Sequence, residues 1–377
     1  MELNAGQLAQ GRLGPGSVAA PRDSLAAAKQ KEYFTFHGSG GEYFRIWIVN
    51  ILLTIVTVGI YSPWAKVRKQ RYIYGNLQLA NSYFDYLARP LIILRGRLLA
   101  LFLLFAVLGS QWFFPQLYIF SFLIIGLVTP WLVVRARMFN MRYTSYRNIR
   151  FAFNPAYGEA YKTILWFGFL SLVTVGLAAP YAHYRRNKLV VSNTRYGNLK
   201  FRLGEVGRDF YLAYFIGFVV GALLLAPATS LLAQLDVLAK GAEDISVIDP
   251  QILTLMPLLF GFLCYFVIAK YIAALVLRIT TNHTSIGNSV SGQQDHRLGC
   301  DWSLPMMLWI YVTNMAAIGL SFGLLMPWAQ MRILKYQLDR TWLEVSGELD
   351  AVVAGQLQTV SSLGEEIGDV FDVDIGL

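Results

Sequence analysis

The sequence predicts an all-α polytopic membrane protein built from internal repeats, with about seven apolar helical segments at the roughly 20-residue length that spans hydrocarbon. Four are expected as secure spans. The others either cross or re-enter, and short β-hairpins decorate the cytoplasmic face. Three observations carry this. The 377 residues are 55% hydrophobic and 15% charged, with mean hydropathy +0.46, where soluble domains carry about 25% charged residues. The charge-free stretches come in membrane lengths. One short pattern (Pro, then an aromatic residue, then Arg five after the Pro) closes several of them.

In chain order, residues 1–32 are rich in Gly, Ala, Gln and Ser and contain no apolar core of signal-peptide length, so they read as a disordered arm. Residues 33–340 form the membrane domain. Its uncharged runs are 46–65, 98–134, 163–184, 210–235, 250–269 and 302–331. A helix rises about 1.5 Å per residue, so 98–134 is too long for one span, and Pro115-Gln116 splits it into a hairpin. Residues 210–235 and 250–277 make a second pair, joined by an acidic connector suited to the outer face. Residues 341–377 hold eight acidic and no basic residues and read as a disordered tail. Cys264 and Cys300 give no disulfide framework.

Basic segments separate the apolar ones. Period-2 alternation beside Asn occurs at Gly75-Asn76-Leu77-Gln78-Leu79, Asn148-Ile149-Arg150-Phe151 and Gly197-Asn198-Leu199-Lys200-Phe201, with a fainter copy at Gly287-Asn288. This reads as strands and turns. If the short apolar segments return to their own side, every basic segment shares one face, as the positive-inside rule favours. If they cross, successive blocks are inverted, as in many transporters.

A shift of 117 residues aligns Phe34 with Phe151, Glu42 with Glu159, Val56-Thr57-Val58-Gly59 with Val173-Thr174-Val175-Gly176, Pro63 with Pro180 and Arg68 with Arg185. A looser third copy holds Ile318-Gly319, Pro327 and Arg332. Gly59, Gly176 and Gly319 are the expected bends of any re-entrant segment.

The candidate site residues follow from the exit pattern. Arg68, Arg135, Arg185 and Arg332 either rest on lipid phosphate, their stems in the interface, or converge on one anionic ligand. Trp64, Trp131, Tyr181 and Trp328 are the interfacial anchors beside them. Glu42 and Glu159 precede apolar segments. They either cap a helix start and pair with Arg45 and Lys162, or carry protons or a cation. Asn50, Thr54, Thr57, Thr174, Thr313 and Asn314 place polar groups inside apolar segments, as interhelical hydrogen bonds or as a pathway lining. The scattered His37, His183, His283 and His296 match no zinc spacing. No metal, cofactor or nucleotide motif is present. The expected partners are the bilayer and anionic phospholipid, not nucleic acid. Homo-oligomerisation stays open.

The run His37-Gly38-Ser39-Gly40-Gly41-Glu42-Tyr43-Phe44-Arg45, with Tyr61-Ser62-Pro63-Trp64-Ala65-Lys66-Val67-Arg68 and Tyr74-Gly75-Asn76, resembles the YjgN-like family of bacterial inner-membrane proteins. The resemblance covers about residues 33–340 and implies a multi-pass inner-membrane location. It supplies no activity, because the family's function is unknown. The expected function is small-solute transport or channel activity; the alternative is a non-catalytic organiser that binds anionic lipid or a protein through its basic cytoplasmic face. An enzyme is not expected, for want of a catalytic set.

Overall fold

The computed structural model describes residues 29–113, 118–241, 250–287 and 296–346. Its strands are β1 (Lys29–Tyr33), β2 (Thr35–Phe36), β3 (Leu77–Leu79), β4 (Ser82–Tyr86), β5 (Thr144–Tyr146), β6 (Ile149–Phe153), β7 (Thr194–Tyr196), β8 (Leu199–Leu203), β9 (Thr284–Gly287), β10 (His296–Cys300) and β11 (Thr341–Ser346). Two-residue turns close the β3–β4 and β5–β6 hairpins at Ala80-Asn81 and Arg147-Asn148, all four residues at positive φ. Such turns match the twist of paired strands. At Gly75-Asn76 the same residue types do something else. Asn76 ends a helix, its amide donating to the Tyr72 carbonyl at 2.8 Å.

The hairpins are not separate decorations. They join into one 11-stranded antiparallel sheet in the order β1-β11-β10-β9-β8-β7-β6-β5-β4-β3-β2. Its two ends, β1 and β2, are consecutive in the chain with only Phe34 between them. The stretch 29–36 pairs with β11 through Lys29↔Ser346 and with β3 through Thr35↔Gln78. One bent strand thus closes the sheet into a near-barrel and removes its open edges. Every hairpin contributes inward apolar groups, including Leu79, Ile149, Leu199, Ile286 and Leu343. Tyr146 and Tyr196 lie among them, their hydroxyls donating to the carbonyls of Leu79 (2.8 Å) and Tyr146 (3.0 Å) on the neighbouring hairpins.

Helices fill the connections: α1 (Gly40–Val56), α2 (Ser62–Gly75), α3 (Pro90–Phe113), α4 (Tyr118–Arg142), α5 (Tyr157–Tyr161) running through a wider π turn at Lys162–Trp166 into α6 (Phe167–Val173), α7 (Ala179–Ser192), α8 (Gly207–Gly241), α9 (Pro250–Asn282), α10 (Leu304–Leu320) and α11 (Met326–Leu338). Each pair leaves the sheet and comes back to the adjacent strand. Three pairs are short and share one tip, Thr57-Val58-Gly59, Thr174-Val175-Gly176 and Ser321-Phe322-Gly323. The glycines sit at φ +88 to +89 and the residues before them at +49 to +50. The tip hydroxyl accepts the amide four residues on, at 3.0 Å in all three, which starts the returning helix. The third bend is therefore Gly323, not Gly319, which lies inside α10.

Neighbouring pairs lock together through five apolar clusters, one at each place where a returning helix meets the next strand and outgoing helix. Val67, Val134, Tyr184, Ala274 and Met331 each anchor one, and the residue after each of them except Ala274 is the Arg of the exit pattern.

The all-α expectation is corrected on two counts. The chain has a large closed sheet, because short hairpins with one apolar face are stable only when paired further. Among the described residues three helical stretches are long and apolar enough to cross a membrane, Pro90–Gly109, Ile119–Arg142 and Cys264–Asn282, and Leu304–Leu320 is shorter. That replaces the seven-segment picture, since the short apolar runs bend at their tips. Lys29–Glu32, within the stretch read as an arm, and Thr341–Ser346, within the stretch read as a tail, are strands. The Pro115-Gln116 turn, the acidic connector past Gly241, Asn288 and the rest of both ends lie outside the described residues.

Candidate functional site

The exit pattern sets the first group of side chains. The Pro occupies the first turn of α2, α7 and α11, where a missing N–H is harmless. In α4 it lies inside one long helix. The Arg then stands about one turn beyond the aromatic residue, on the same side. Arg135 lies over the Trp131 ring at 5.5 Å and Arg332 over Trp328 at 5.3 Å. Such stacking holds a guanidinium against the interface. Arg185 lies over Phe167 (5.8 Å) instead, and Tyr181 packs edge-on to the same ring at 5.2 Å. Trp64 stacks on Tyr61 at 6.1 Å, and Arg68 is exposed beyond it.

The structure separates these arginines rather than converging them. Each belongs to a different helix pair. Arg68 and Arg135 are exposed. Arg185 pairs with Glu159 at 3.8 Å, so Glu159 joins the exit Arg and not Lys162. Arg332 turns back across its hairpin and donates to Thr313 Oγ1 (2.8 Å) and Asn314 Oδ1 (3.1 Å). Glu42 sits in the first turn of α1, where Ser39 accepts its amide at 3.2 Å. Its carboxylate accepts from Tyr72 at 3.1 Å, joining α1 to α2. Thr54, Thr57, Thr174 and Thr313 each donate to the carbonyl four residues back in their own helix, at 2.6 to 2.8 Å.

A second group was hidden in the sequence by its basic surroundings. Two cavities lie on the two sides of α11. One, of about 460 Å³, is bounded by α1, α2 and α11 and lined by Asn50, Lys66, Lys69 and Gln330 with Tyr43 and Trp47. The other, of about 560 Å³, is bounded by α9, α10 and α11 and lined by Lys270, Asn314 and Gln330 amid apolar groups. On α1 the exposed apolar residues are Val49, Leu52, Leu53, Ile55 and Val56; Trp47, Asn50 and Thr54 lie on another side of the helix, and Ile55 forms the cavity's exposed rim. Gln330 links the cavities. Its Oε1 accepts from Lys69 (3.2 Å) and Tyr43 (3.4 Å). The signal available in the sequence was Asn50 and Asn314, each sixteen residues before Lys66 and Gln330 respectively.

At the sheet side, hydrogen bonds from Lys188 and Tyr184 hold the Glu205 carboxyl below the usual range. Burial pushes the Cys300 thiol up to about 11, which leaves it unreactive at neutral pH. Among the described residues no three His, Cys, Asp or Glu side chains gather in metal-binding geometry.

Apolar hairpins that all start and end on one closed sheet, with stacked cations at the exits, define a membrane-embedded helical protein with a strand cap. The chain belongs to the family described as "Bacterial protein of unknown function (DUF898)", whose model matches residues 31–370. It is 24% identical over 360 residues to "Inner membrane protein YjgN" of Salmonella typhimurium strain LT2, covering 84% of this chain and 89% of that protein. It is 28% identical over 162 residues to the protein of the same name from Escherichia coli O157:H7, covering 43% and 40%. A shorter match to that of Escherichia coli K12 is 51% identical over 53 residues, 14% of this chain and 13% of the relative. No solved structure matches the chain.

Proposed function

We propose that the protein is a non-catalytic, multi-pass organiser of the bacterial inner membrane, built from repeated helix–strand units, that gathers anionic phospholipid around its basic cytoplasmic face. One observation carries this reading. The barrel that caps the helices is lined by apolar side chains contributed from every hairpin, and the cavity of about 240 Å³ left among them is walled by groups such as Leu79, Phe151, Leu199, Phe201 and Leu343, so a water-filled axial route past the strands has no support. The cations stand at the helix exits instead, where a headgroup phosphate would lie. The strand side is read as cytoplasmic from the positive-inside rule.

Trp64, Trp131 and Trp328 give a direct test, because they sit at the exits. In vesicles, brominated phosphatidylglycerol should quench tryptophan fluorescence more than brominated phosphatidylcholine. Each exit cation near the surface contributes about 1 kcal/mol, so Arg68→Gln/Arg135→Gln should reduce the preference by several-fold, and high salt should do the same. Equal quenching by the two lipids would remove the reading.

A second reading, small-solute transport, draws support from the two cavities beside α11 with their lysines. Solute uptake by protein-loaded vesicles, above that of empty ones and sensitive to Gln330→Leu, would favour it over the organiser.

A further inference from the structure

We infer that the cavity between α1, α2 and α11 is a binding site for one anionic phospholipid with a hydroxyl-bearing headgroup. The inference deepens the organiser reading and rests on it for the orientation of the bilayer. Lys66 and Lys69 both line this cavity, and no carboxylate does. Among the described residues neither lysine belongs to an ion pair. Two neighbouring ammonium groups without a counter-ion, at the level of the exit cations, attract an anionic headgroup. Lys69 is held in place by the Gln330 carbonyl oxygen at 3.2 Å, which leaves the Gln330 amide as a further donor.

The remaining walls fit the rest of such a molecule. Asn50 Oδ1 is buried without a hydrogen-bond partner and accepts only from a donor, which a headgroup hydroxyl supplies. Depth agrees as well. Lys66 and Gln330 each lie seven residues after their tip glycine, Gly59 and Gly323, and Asn50 nine before Gly59. They therefore lie at similar depth, about 10 to 14 Å back from the tips at 1.5 Å per residue. Nearer the tip the lining becomes Ile51, Thr54 and Ile55, and Trp47 closes the side. A headgroup on the lysines with chains toward the tips has the orientation of a lipid in the strand-side leaflet. The cavity across α11 repeats the plan with Lys270, Gln330 and Asn314, but there Arg332 already satisfies the Asn314 oxygen. Asn50, at the same spacing from the exposed Arg68, has no such partner.

The test is native mass spectrometry of the full chain released from detergent, titrated with phosphatidylglycerol, phosphatidylcholine or glycerol 3-phosphate. One phosphatidylglycerol should be retained about tenfold more tightly than phosphatidylcholine, equivalent to about 1.4 kcal/mol. Lys66→Gln/Lys69→Gln should lose that preference. Lys66→Arg/Lys69→Arg, which keeps the charge, should retain it and guards against a folding defect. Arg68→Gln/Arg135→Gln, outside the cavity, should leave this one lipid bound even where it lowers the general preference. Retention unchanged in Lys66→Gln/Lys69→Gln would overturn the site while leaving the organiser reading standing. Glycerol 3-phosphate binding as tightly as the lipid would overturn the lipid as occupant in favour of a soluble phosphate.

Discussion

Tyr86 shows what one residue contributes to the join between strand and helix. It ends β4, is 2% exposed, and stacks on Tyr74 of α2 with ring centroids 5.8 Å apart. Its backbone carbonyl, and that of Ala88, accept from Arg71, each at 3.3 Å. Its hydroxyl, however, is buried without a partner. A buried unsatisfied hydroxyl costs about 1–3 kcal/mol, so Tyr86→Phe should raise stability by about 1 kcal/mol, read as a later thermal unfolding midpoint in detergent. Burial also pushes the Tyr86 phenol up to about 12, with Tyr74 and Tyr143 adding to the shift. The neutral form is thus the one the fold holds. The folded state keeps this proton where the unfolded chain, at about 10, gives it up. The contribution is complete below pH 10 and is lost as pH rises toward 12. Tyr86→Phe should accordingly show a shallower loss of stability between pH 10 and 12 than the parent. A variant less stable than the parent at neutral pH would mean the hydroxyl has a role that the geometry lacks.

The tips of the three short helix pairs decide the element scale. Val58, Val175 and Phe322 are 91%, 92% and 98% exposed, an arrangement that water would penalise and hydrocarbon favours. The glycine after each lies near φ +89 with open space where a Cβ would be. The penalty for a side chain there is therefore conformational, about 1–2 kcal/mol. Gly59→Ala and Gly176→Ala should each destabilise by about that amount. Gly319→Ala is the contrast. It lies within α10 with nothing near its missing Cβ, so alanine should stabilise by about 0.5–1 kcal/mol. Opposite signs in one thermal-unfolding series would locate the third bend at Gly323; the same sign would return it to Gly319. The sequence carried this element in full, as Thr-Val-Gly twice and Ser-Phe-Gly once. What concealed the third copy was the loss of the repeated Val, which let a glycine four residues earlier take its place in the alignment.

For the whole molecule, legibility divides by sequence separation. Hairpin turns, exit arginines and apolar runs are local patterns and can be read residue by residue. The sheet cannot, because its closing pairs join Tyr86 to Thr144 and Lys29 to Ser346. No periodicity reports which hairpin meets which, so the barrel core of Leu79, Tyr146, Ile149, Tyr196 and Leu343 looks like isolated surface strands. The lysine cavity was hidden differently. Lys66 and Lys69 fall in a segment whose charge already serves as a sidedness signal, and only the neighbouring helices reveal that they line one cavity. The closed sheet has a consequence for sidedness that a chain of crossing segments lacks. A helix pair that leaves one strand and returns to its neighbour cannot deliver successive hairpins to opposite faces. With Cys264 and Cys300 replaced, Tyr83→Cys on β4 and Ser192→Cys at the end of α7, both exposed, should react alike with a membrane-impermeant thiol reagent. Both should be protected in intact cells and both labelled once the membrane is opened. Val58→Cys at a tip should resist the reagent in either state, as a position 91% exposed on the protein does when hydrocarbon covers it. Labelling of only one of Tyr83→Cys and Ser192→Cys in intact cells would require the α5–α7 segment to cross, and the sheet that joins β4 to β8 could not then exist in the membrane.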